Sequence, residues 1–287
     1  MSLPELISDP QEMHRWARQQ QAAGFTVGVV PTMGALHEGH LSLAHAAREQ
    51  CDKVVVTIFV NPTQFGPDED FDRYPRDLDS DRQRLAEASV DVVFSPETRA
   101  VYPEGCTASV SPPDVSLPLE GDFRPGHFGG VCTVVLKLFL MIPAERAFFG
   151  QKDFQQALVI RQMVNDLSIP IEIQVCPIVR EPDGLAMSSR NAYLSQMERQ
   201  RALSLQRALK RVSAALSAGE RSQTTLQEVM QEELAGETDR LDYAVVADPQ
   251  TLECNPIVSL PAVALIAAHV GSTRLIDNCY FPANLET

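Results

Sequence analysis

The chain of 287 residues is poor in basic side chains: 24 lysines and arginines stand against 38 acidic residues, for a formal net charge of −14. Proteins that bind nucleic acid without regard to sequence neutralise its phosphates with lysine and arginine, and binding to an anionic membrane has the same requirement. The composition therefore argues against both partners. An anionic substrate would need a local cluster of cations.

Cysteines are few and scattered. No two of the six are separated by two residues, which excludes the CxxC pairs of zinc ribbons and indicates free thiols in a reducing compartment. The sequence also has no basic N-terminal region followed by an apolar run, and no apolar stretch of about 18 residues that could span a bilayer. We expect a cytoplasmic protein with no membrane partner.

Hydrophobic residues make up 44% of the chain, which is enough for a sizeable core. Up to about residue 175, β-branched runs alternate with segments of helical periodicity. Strands are predicted at 25–30, 54–60, 91–94, 147–149 and 171–176, and helices at 10–23, 39–50, 77–87, 127–141 and 154–166. Residues 103–126 look irregular. This alternation predicts an α/β fold with a doubly wound parallel sheet, whose ligands lie beyond the carboxyl ends of the strands.

The last third of the chain has a different pattern. Helices are predicted at 195–218 and 223–235, followed by strands at 241–247, 262–269 and 273–279. Helices followed by strands are typical of a smaller α+β domain. We expect a boundary near Pro177, with domains at 1–176 and 177–287.

The segment PTMGALHEGH (31–40) follows a predicted strand and opens a predicted helix. A helix N-terminus offers N–H groups and a partial positive charge to phosphates. His37 and His40 are three residues apart, so they share a face of the helix and add donors there. The segment predicts a phosphate site, and the alternative is two solvated histidines at a helix start.

Residues 150–153 form a second cluster after a short predicted strand. Lys152 would be a point charge for a phosphate, and Asp153 could accept a hydrogen bond from a ribose hydroxyl. The alternative is a surface turn with a solvated Lys–Asp pair.

A third cluster, Met187-Ser188-Ser189-Arg190, follows the turn signal Asp183-Gly184. Two hydroxyls and a guanidinium suit a triphosphate. The alternative is a cap for the helix predicted near Ser195, with Arg190 solvated.

Three neutral amides, Asn61, Gln64 and Gln156, lie near predicted strand ends or helix starts. They fit a polar uncharged substrate, but they are equally ordinary turn and helix-surface residues. The acidic residues between 72 and 81 indicate a solvated helix face. One of them could instead hold Mg²⁺ beside a nucleotide.

Five stretches together resemble the pantothenate synthetase (pantoate–β-alanine ligase) family. They are PTMGALHEGH (31–40), FVNPTQFGPDEDFDRYPR (59–76), GHFGGVCTVVLKLF (126–139), FFGQKDFQQALVIRQMVNDL (148–167) and REPDGLAMSSRNAYLS (180–195). The histidine element alone belongs to a wider nucleotidyltransferase superfamily, and the last third of the chain resembles the family in pattern only. Gln151 and Gly129 depart from the family's common residues, but neither is assigned to chemistry.

The resemblance implies a Rossmann-like domain that binds nucleotide and pantoate, a smaller lid domain, and a homodimer. It implies an ATP- and Mg²⁺-dependent condensation of pantoate with β-alanine to pantothenate. Such a reaction passes through a pantoyl adenylate and releases AMP and pyrophosphate. An adenylate must be shielded from water, and residues 66–75 and the second domain are the candidate covers.

The resemblance also implies residue roles. Catalysis falls to His37, His40, Lys152 and Arg190, with His40 as the proton donor. The residues implied to bind ATP are Met33, Gly34, Ala35, Leu36, His37, Glu38, Gly39, His40, Gly150, Gln151, Lys152, Asp153, Val179, Met187, Ser188, Ser189 and Arg190. Gln64 and Gln156 are implied to hold pantoate, with Asn61 beside them and Gln64 also near β-alanine. Asp81 matches a metal-associated carboxylate.

Two other functions stay open from the sequence. One is a different adenylate- or nucleotidyl-transferring enzyme, such as a cytidylyltransferase. The other is a non-catalytic nucleotide-binding module. A tRNA synthetase is disfavoured, because the chain is acidic and has little room for an anticodon-reading domain.

Overall fold

A computed structural model describes residues 2–67 and 69–283. The chain forms two compact units. The first comprises Met1–Gln151 and Gln155–Pro177, and the second comprises Lys152–Phe154 and Ile178–Thr287. Within the described ranges, no helix has both the length and the apolar character needed to cross a bilayer.

The first unit is built on a parallel sheet. Its strands are β1 (Glu5–Ile7), β2 (Val27–Val30), β3 (Lys53–Thr57), β4 (Val92–Phe94), β5 (Arg146–Gly150) and β6 (Glu172–Cys176). Its helices are α1 (Pro10–Ala22), α2 (Glu38–Gln50), α3 (Leu78–Glu87), α4 (Thr98–Val101), α5 (Glu120–Phe123), α6 (His127–Met141) and α7 (Phe154–Asp166). The strand order is β1-β4-β3-β2-β5-β6, and every pairing among the described strands of this sheet is parallel. The predicted doubly wound α/β fold is confirmed.

Alternate residues of the strands pack into two separate cores. On β3, Val55 joins the cluster that contains residues of α1, α6 and α7. Its neighbours Val54 and Val56 join the cluster with Leu41 of α2 and Leu85 of α3. Successive side chains of a strand point to opposite faces, so a β-branched run buried on both sides holds helices on both faces of the sheet.

Two local features differ from the sequence prediction. The edge strand Glu5–Ile7 was not predicted, because three residues paired only with β4 show no periodicity. The stretch 103–126, expected to be irregular, contains a 3₁₀ turn at Asp114–Ser116 and the short helix α5. Asp9 caps the start of α1, where its carboxylate accepts the backbone N–H of Glu12 at 2.7 Å.

The second unit packs two helices on an antiparallel sheet. The helices are α8 (Gln196–Ser217) and α9 (Gln223–Leu234), and the strands are β7 (Arg240–Ala247), β8 (Ala262–Val270) and β9 (Thr273–Phe281), in the order β7-β8-β9. Ser195 and Glu198 form a reciprocal capping box at the start of α8. Leucines of both helices and alternate residues of β8 share one core, which confirms the predicted α+β architecture.

Candidate active site

Three adjacent strands of the parallel sheet lead into predicted site segments. The order β3-β2-β5 brings the carboxyl ends of these strands together. Residues 31–37 follow β2, residues 58–64 follow β3, and Gly150 and Gln151 lie at the end of β5. Ligands of open α/β sheets bind at this edge, so topology gathers these segments where the pattern predicted them.

A buried carboxylate fixes the conformation of the loop after β2. Gly34 and Ala35 both have positive φ, at 86° and 51°, a conformation that favours glycine. Asp81 of α3 accepts the N–H of Ala35 at 3.0 Å and that of Leu36 at 2.8 Å. A Cβ on Gly34 would lie 3.0 Å from the Asp81 carboxylate. Burial raises the pKa of Asp81, and the two backbone N–H groups only partly offset this.

His37 and His40 lie side by side at the start of α2, with ring centroids 4.1 Å apart. His37 is the N-cap, and its Nδ1 accepts the N–H of Gly39 at 3.2 Å. The Nδ1 of His40 accepts the N–H of His37 at 3.4 Å. Because both Nδ1 atoms accept, each neutral ring carries its proton on Nε2. The prediction that the two histidines share a face is confirmed.

Gln64 lies beside the loop after β2, at the end of a short 3₁₀ turn (Pro62–Gln64) that Asn61 caps. Its Oε1 accepts from Asn61 Nδ2 at 3.1 Å, and its Nε2 donates to Met33 Sδ at 3.3 Å. Asn61 is buried and also accepts from the Tyr102 hydroxyl at 2.8 Å. Asn61 therefore orients the Gln64 amide, a role the sequence did not indicate for it.

The 3₁₀ turn packs closely against α6. Asn61 Nδ2 reaches the carbonyl oxygen of Gly130 at 3.3 Å. A Cβ at Gly130 would lie 2.2 Å from the carbonyl oxygen of Thr63. Only glycine fits this contact, so Gly130 allows the turn to approach α6.

A partly buried network of hydrogen bonds and one ion pair, missed by sequence reasoning, supports the same turn. His127 Nδ1 lies 2.8 Å from the carbonyl oxygen of Gln64, and its Nε2 lies 3.0 Å from the Arg124 guanidinium. Arg124 in turn binds both carboxylate oxygens of Glu69, each at 2.7 Å. The available signal was GHFGG, quoted for the family resemblance but given no role.

Gln156 lies half-buried in the first turns of α7. Its neighbour Gln155 is buried and structural. Gln155 donates to the carbonyl oxygens of Val115 and Pro118 and accepts from the N–H of Glu120. Gln155 thus ties down the segment before α6, while the substrate role of Gln156 stays a prediction.

The predicted cations Lys152 and Arg190 belong to the second unit. Lys152 Nζ lies 3.8 Å from the Asp153 carboxylate, a long and partly exposed pair of little energetic weight. Met187 donates its N–H to the carbonyl oxygen of Val179 at 3.0 Å. Ser188 caps the 3₁₀ helix Ser189–Tyr193, whereas Ser195 caps α8. Ser188 is therefore a helix cap, but it caps this 3₁₀ helix and not the helix near Ser195 that the alternative interpretation of the cluster named.

Met33 to His40, Asn61 and Gln64 thus lie in the first unit, while Lys152, Asp153, Val179 and residues 187–190 lie in the second. The convergence of the two sets on one nucleotide stays a prediction. A cavity of about 330 Å³ in the first unit borders Met33, Gly34 and Asp81. Its described lining does not include His37, His40 or Gln64.

Similarity to known proteins provides independent evidence on the family to which the chain belongs. The family described as pantoate-beta-alanine ligase matches residues 5–280. A pantothenate synthetase from Rhodopirellula baltica is 52% identical over 277 residues, covering 96% of this chain and 98% of that protein. One from Moorella thermoacetica is 49% identical over 281 residues, covering 98% of this chain and 99% of that protein.

Solved structures give the same result. The crystal structure of pantothenate synthetase from Thermus thermophilus has a TM-score of 0.91 and 42% identity, and covers 97% of this chain and 99% of that one. The pantoate-beta-alanine ligase from Francisella tularensis, complexed with beta-gamma ATP and beta-alanine, has a TM-score of 0.81 and 34% identity, and covers 96% of this chain and 97% of that one.

The parallel sheet, the histidine pair at a helix start and the amides at the next strand end define a Rossmann-like α/β protein with its site at the carboxyl edge. The histidine pair and amides match the motifs on which the resemblance was based. The chain belongs to the pantoate-beta-alanine ligase family, and the prediction of an enzyme of this type is confirmed.

Proposed function

We propose that this enzyme joins pantoate to β-alanine with ATP, forming pantothenate, AMP and pyrophosphate through a pantoyl adenylate. The family match across residues 5–280 carries the proposal, and a relative crystallised with beta-gamma ATP and beta-alanine supports both substrates. Residues 1–176 would bind nucleotide and pantoate, and residues 177–287 would act as the lid.

In the first step, a carboxylate oxygen of pantoate attacks the α-phosphorus of ATP. The new P–O bond forms as the bond to the β-phosphate breaks, and pyrophosphate leaves. The substrate supplies the nucleophile, so the protein's task is positioning and stabilisation of phosphate charge. We assign that charge stabilisation to His37, His40, Lys152 and Arg190.

Gln64 is suited to binding pantoate because of its partners. Its Oε1 is held by Asn61, which fixes the amide plane. Its Nε2 donates to a thioether sulfur, and sulfur is a weak acceptor. Exchange of that sulfur for a substrate hydroxyl or carboxylate oxygen is therefore favourable. Gln156 would supply a second amide.

In the second step, the unprotonated amine of β-alanine attacks the acyl carbon of the adenylate. The bond between that carbon and the phosphate oxygen breaks, AMP leaves, and the amine loses a proton to solvent or a neighbouring base. The adenylate must be kept from water until then. The segment at 66–75, anchored by the Glu69–Arg124 pair, would serve as one cover.

A Mg²⁺ site built wholly from protein side chains does not fit the described residues. Both oxygens of Asp81, the predicted ligand, accept backbone N–H groups. Residues 2–67 and 69–283 contain no group of three or more acidic, histidine or cysteine side chains able to hold a metal. The role of Asp81 as a metal ligand stays a prediction that this geometry does not favour, and no step is assigned to the ion.

The deciding experiment mixes the protein with ATP, Mg²⁺, pantoate and β-alanine and measures AMP and pantothenate. Pantoate-dependent exchange of labelled pyrophosphate into ATP, without β-alanine, isolates the adenylation step. Exchange with CTP but not ATP would favour a cytidylyltransferase, and ATP binding without exchange would favour a non-catalytic module. The homodimer is tested separately by sedimentation velocity.

A further inference from the structure

Asn278, on β9 of the second unit, contacts a residue of the proposed phosphate site. Its side-chain Nδ2 donates to the main-chain carbonyl oxygen of Lys152 at 2.9 Å. Asn278 is only 2% exposed. The sequence distance between the two residues is 126 positions, and no sequence motif linked them.

The preceding residue, Asp277, lies on the other face of the strand, because side chains alternate along β9. Its carboxylate binds the Arg180 guanidinium through two hydrogen bonds, at 2.7 and 3.0 Å. The same carboxylate accepts the backbone N–H of Asn278 at 2.8 Å. A bidentate pair of this kind fixes both orientation and distance. It therefore fixes the position of the β9 backbone next to Asn278.

Arg180 also connects this strand to the third cationic cluster. It donates to the carbonyl oxygen of Gly184 at 3.1 Å and pairs with Ala186 across a short antiparallel bridge. The next residue after that bridge, Met187, opens the segment 187–190. Two neighbouring residues of β9 are therefore the common support of Lys152 and of the segment that ends in Arg190.

We propose that Asn278 is a positioning residue for adenylation, which sets the place of Lys152 relative to the 187–190 segment. The inference rests on the proposed function, because it assumes that Lys152 acts on the phosphates of ATP. Asn278 does not touch the reacting atoms; it holds the backbone from which the Lys152 side chain extends. Misplacement of a positioned group by about 1 Å costs on the order of 100-fold in rate.

The test uses Asn278→Ala, which removes the amide, and Asn278→Asp, which keeps the shape but removes the donor. Pantoate-dependent pyrophosphate exchange is measured with saturating substrates, and we expect kcat to fall about 10-fold or more in both variants. The KM for pantoate should change little. The reaction of preformed pantoyl adenylate with β-alanine should also keep its rate, since its chemistry does not use the β- and γ-phosphates.

A double-mutant cycle distinguishes an effect of Asn278 that acts through Lys152 from an effect on the activity of the whole protein. In a Lys152→Ala background, Asn278→Ala should reduce exchange by less than about 3-fold, because coupled residues are not additive. The same fold-loss in both backgrounds would overturn the inference. Leu275→Ala is the matched control: Leu275 lies in the core on the same strand, so its truncation should lower Tm while leaving exchange intact at temperatures well below Tm.

A readout besides activity comes from the small number of lysines. The chain has four, Lys53, Lys137, Lys152 and Lys210, so ¹³C-methylated lysines give four NMR signals, and Lys152→Arg identifies the signal of interest. Asn278→Ala should shift that signal and leave the other three in place, whereas Leu275→Ala should not move it. An unmoved Lys152 signal overturns the inference. Absence of pantoate-dependent exchange in the unaltered protein would overturn the proposed function instead, and the NMR result would still decide the link between Asn278 and Lys152.

Discussion

The imidazole of His127 donates a hydrogen bond from Nδ1 to the carbonyl oxygen of Gln64, at 2.8 Å. The direction is determined by the other ring nitrogen. Arg124 lies 3.0 Å from Nε2, and a guanidinium can only donate, so Nε2 accepts and the proton of the neutral ring is on Nδ1. A buried histidine thus supports the turn that carries the proposed pantoate amide, and protonation of its Nε2 would remove the acceptor that faces Arg124.

Stability should therefore depend on pH through His127. Burial, reinforced by the Arg124 charge, lowers the pKa of His127 from 6.5 to about 4. As pH falls below 6.5 the unfolded chain takes up a proton that the folded protein does not, so the free energy of unfolding decreases until pH reaches about 4. The loss should approach about 3 kcal/mol over that window. Urea denaturation at pH 7, 5.5 and 4.5 measures it.

His127→Gln serves as the reference for this pH dependence of stability. It removes the imidazole of His127, while the carboxylates and the other histidines still titrate. The difference between the two proteins should shrink as pH falls from 7 to 4.5. A difference that stays constant across that range would contradict the neutral buried state.

Replacing Glu69 by Gln should weaken the use of pantoate. The ion pair with Arg124 holds Glu69 ionised: burial raises the pKa of this carboxyl, but the hydrogen bonds and charge of Arg124 lower it further, so the net shift is downward. Glu69→Gln loses a charge-assisted pair that contributes about 1.5–3 kcal/mol, and loosens the support of His127. We expect kcat/KM for pantoate to fall about 10-fold.

Steady-state kinetics with varied pantoate check this expectation. Asp72→Asn is the matched control, since Asp72 is an exposed acid in the same segment and its neutralisation changes net charge equally. Equal losses in the two variants would show that the charge alone, and not the pair with Arg124, matters.

Replacing Asp81 by Asn should disrupt the loop after β2. An Asn side chain has one accepting oxygen, so its NH₂ group would face a backbone N–H of Ala35 or Leu36. A buried unsatisfied donor costs about 1–3 kcal/mol, and the misplaced loop should reduce pyrophosphate exchange about 100-fold. Thermal unfolding and exchange assays measure the two effects.

Asp79→Asn, on the same first turn of α3 but exposed, should leave both properties unchanged. Titration with Mg²⁺ distinguishes the two roles considered for Asp81. A loop support is not replaced by more metal, so restoration of Asp81→Asn activity at high Mg²⁺ would favour direct metal binding.

Removing the amine of Lys152 should slow adenylation. Lys152→Ala should lower pantoate-dependent exchange by about two orders of magnitude, the range seen for the loss of one charge-stabilising donor. Lys210→Ala, which removes an exposed lysine of α8, controls for the charge change. Near-normal pyrophosphate exchange by Lys152→Ala would contradict the assignment.

Much of the fold could be read from local patterns. The helices α1, α6 and α7 and the capped start of α8 have clear periodicity or capping residues, and they lie within a residue or two of the predicted bounds. The strand Glu5–Ile7 could not be predicted, because it forms only by pairing with β4. In that pairing Glu5 lies opposite Val92, which is 87 positions further along the chain. Local sequence contains no signal for such a pairing.

The site divides in the same way. Motifs pointed to His37, His40 and Gln64, and the structure brings the two histidines together and sets Gln64 against Met33. The motifs contained Glu69 and His127 but gave them no role, and Arg124 and Asn278 lie outside the motifs. Each of these residues acts through a partner on another element. Asp81 was noticed for its charge, but its contacts with Ala35 and Leu36 became visible only in three dimensions.

The order of amino acids by itself determined the alternation of strands and helices, the parallel sheet and the identity of the polar residues at its carboxyl edge. These follow from periodicity, capping and turn chemistry, which act over a few residues. Tertiary structure alone decided which buried groups hold those residues in place, such as His127 under Gln64 and Asp81 behind the loop after β2. Hydrogen bonds and ion pairs depend on ångström-scale distances between elements far apart in the chain, and local sequence preferences carry no record of those distances.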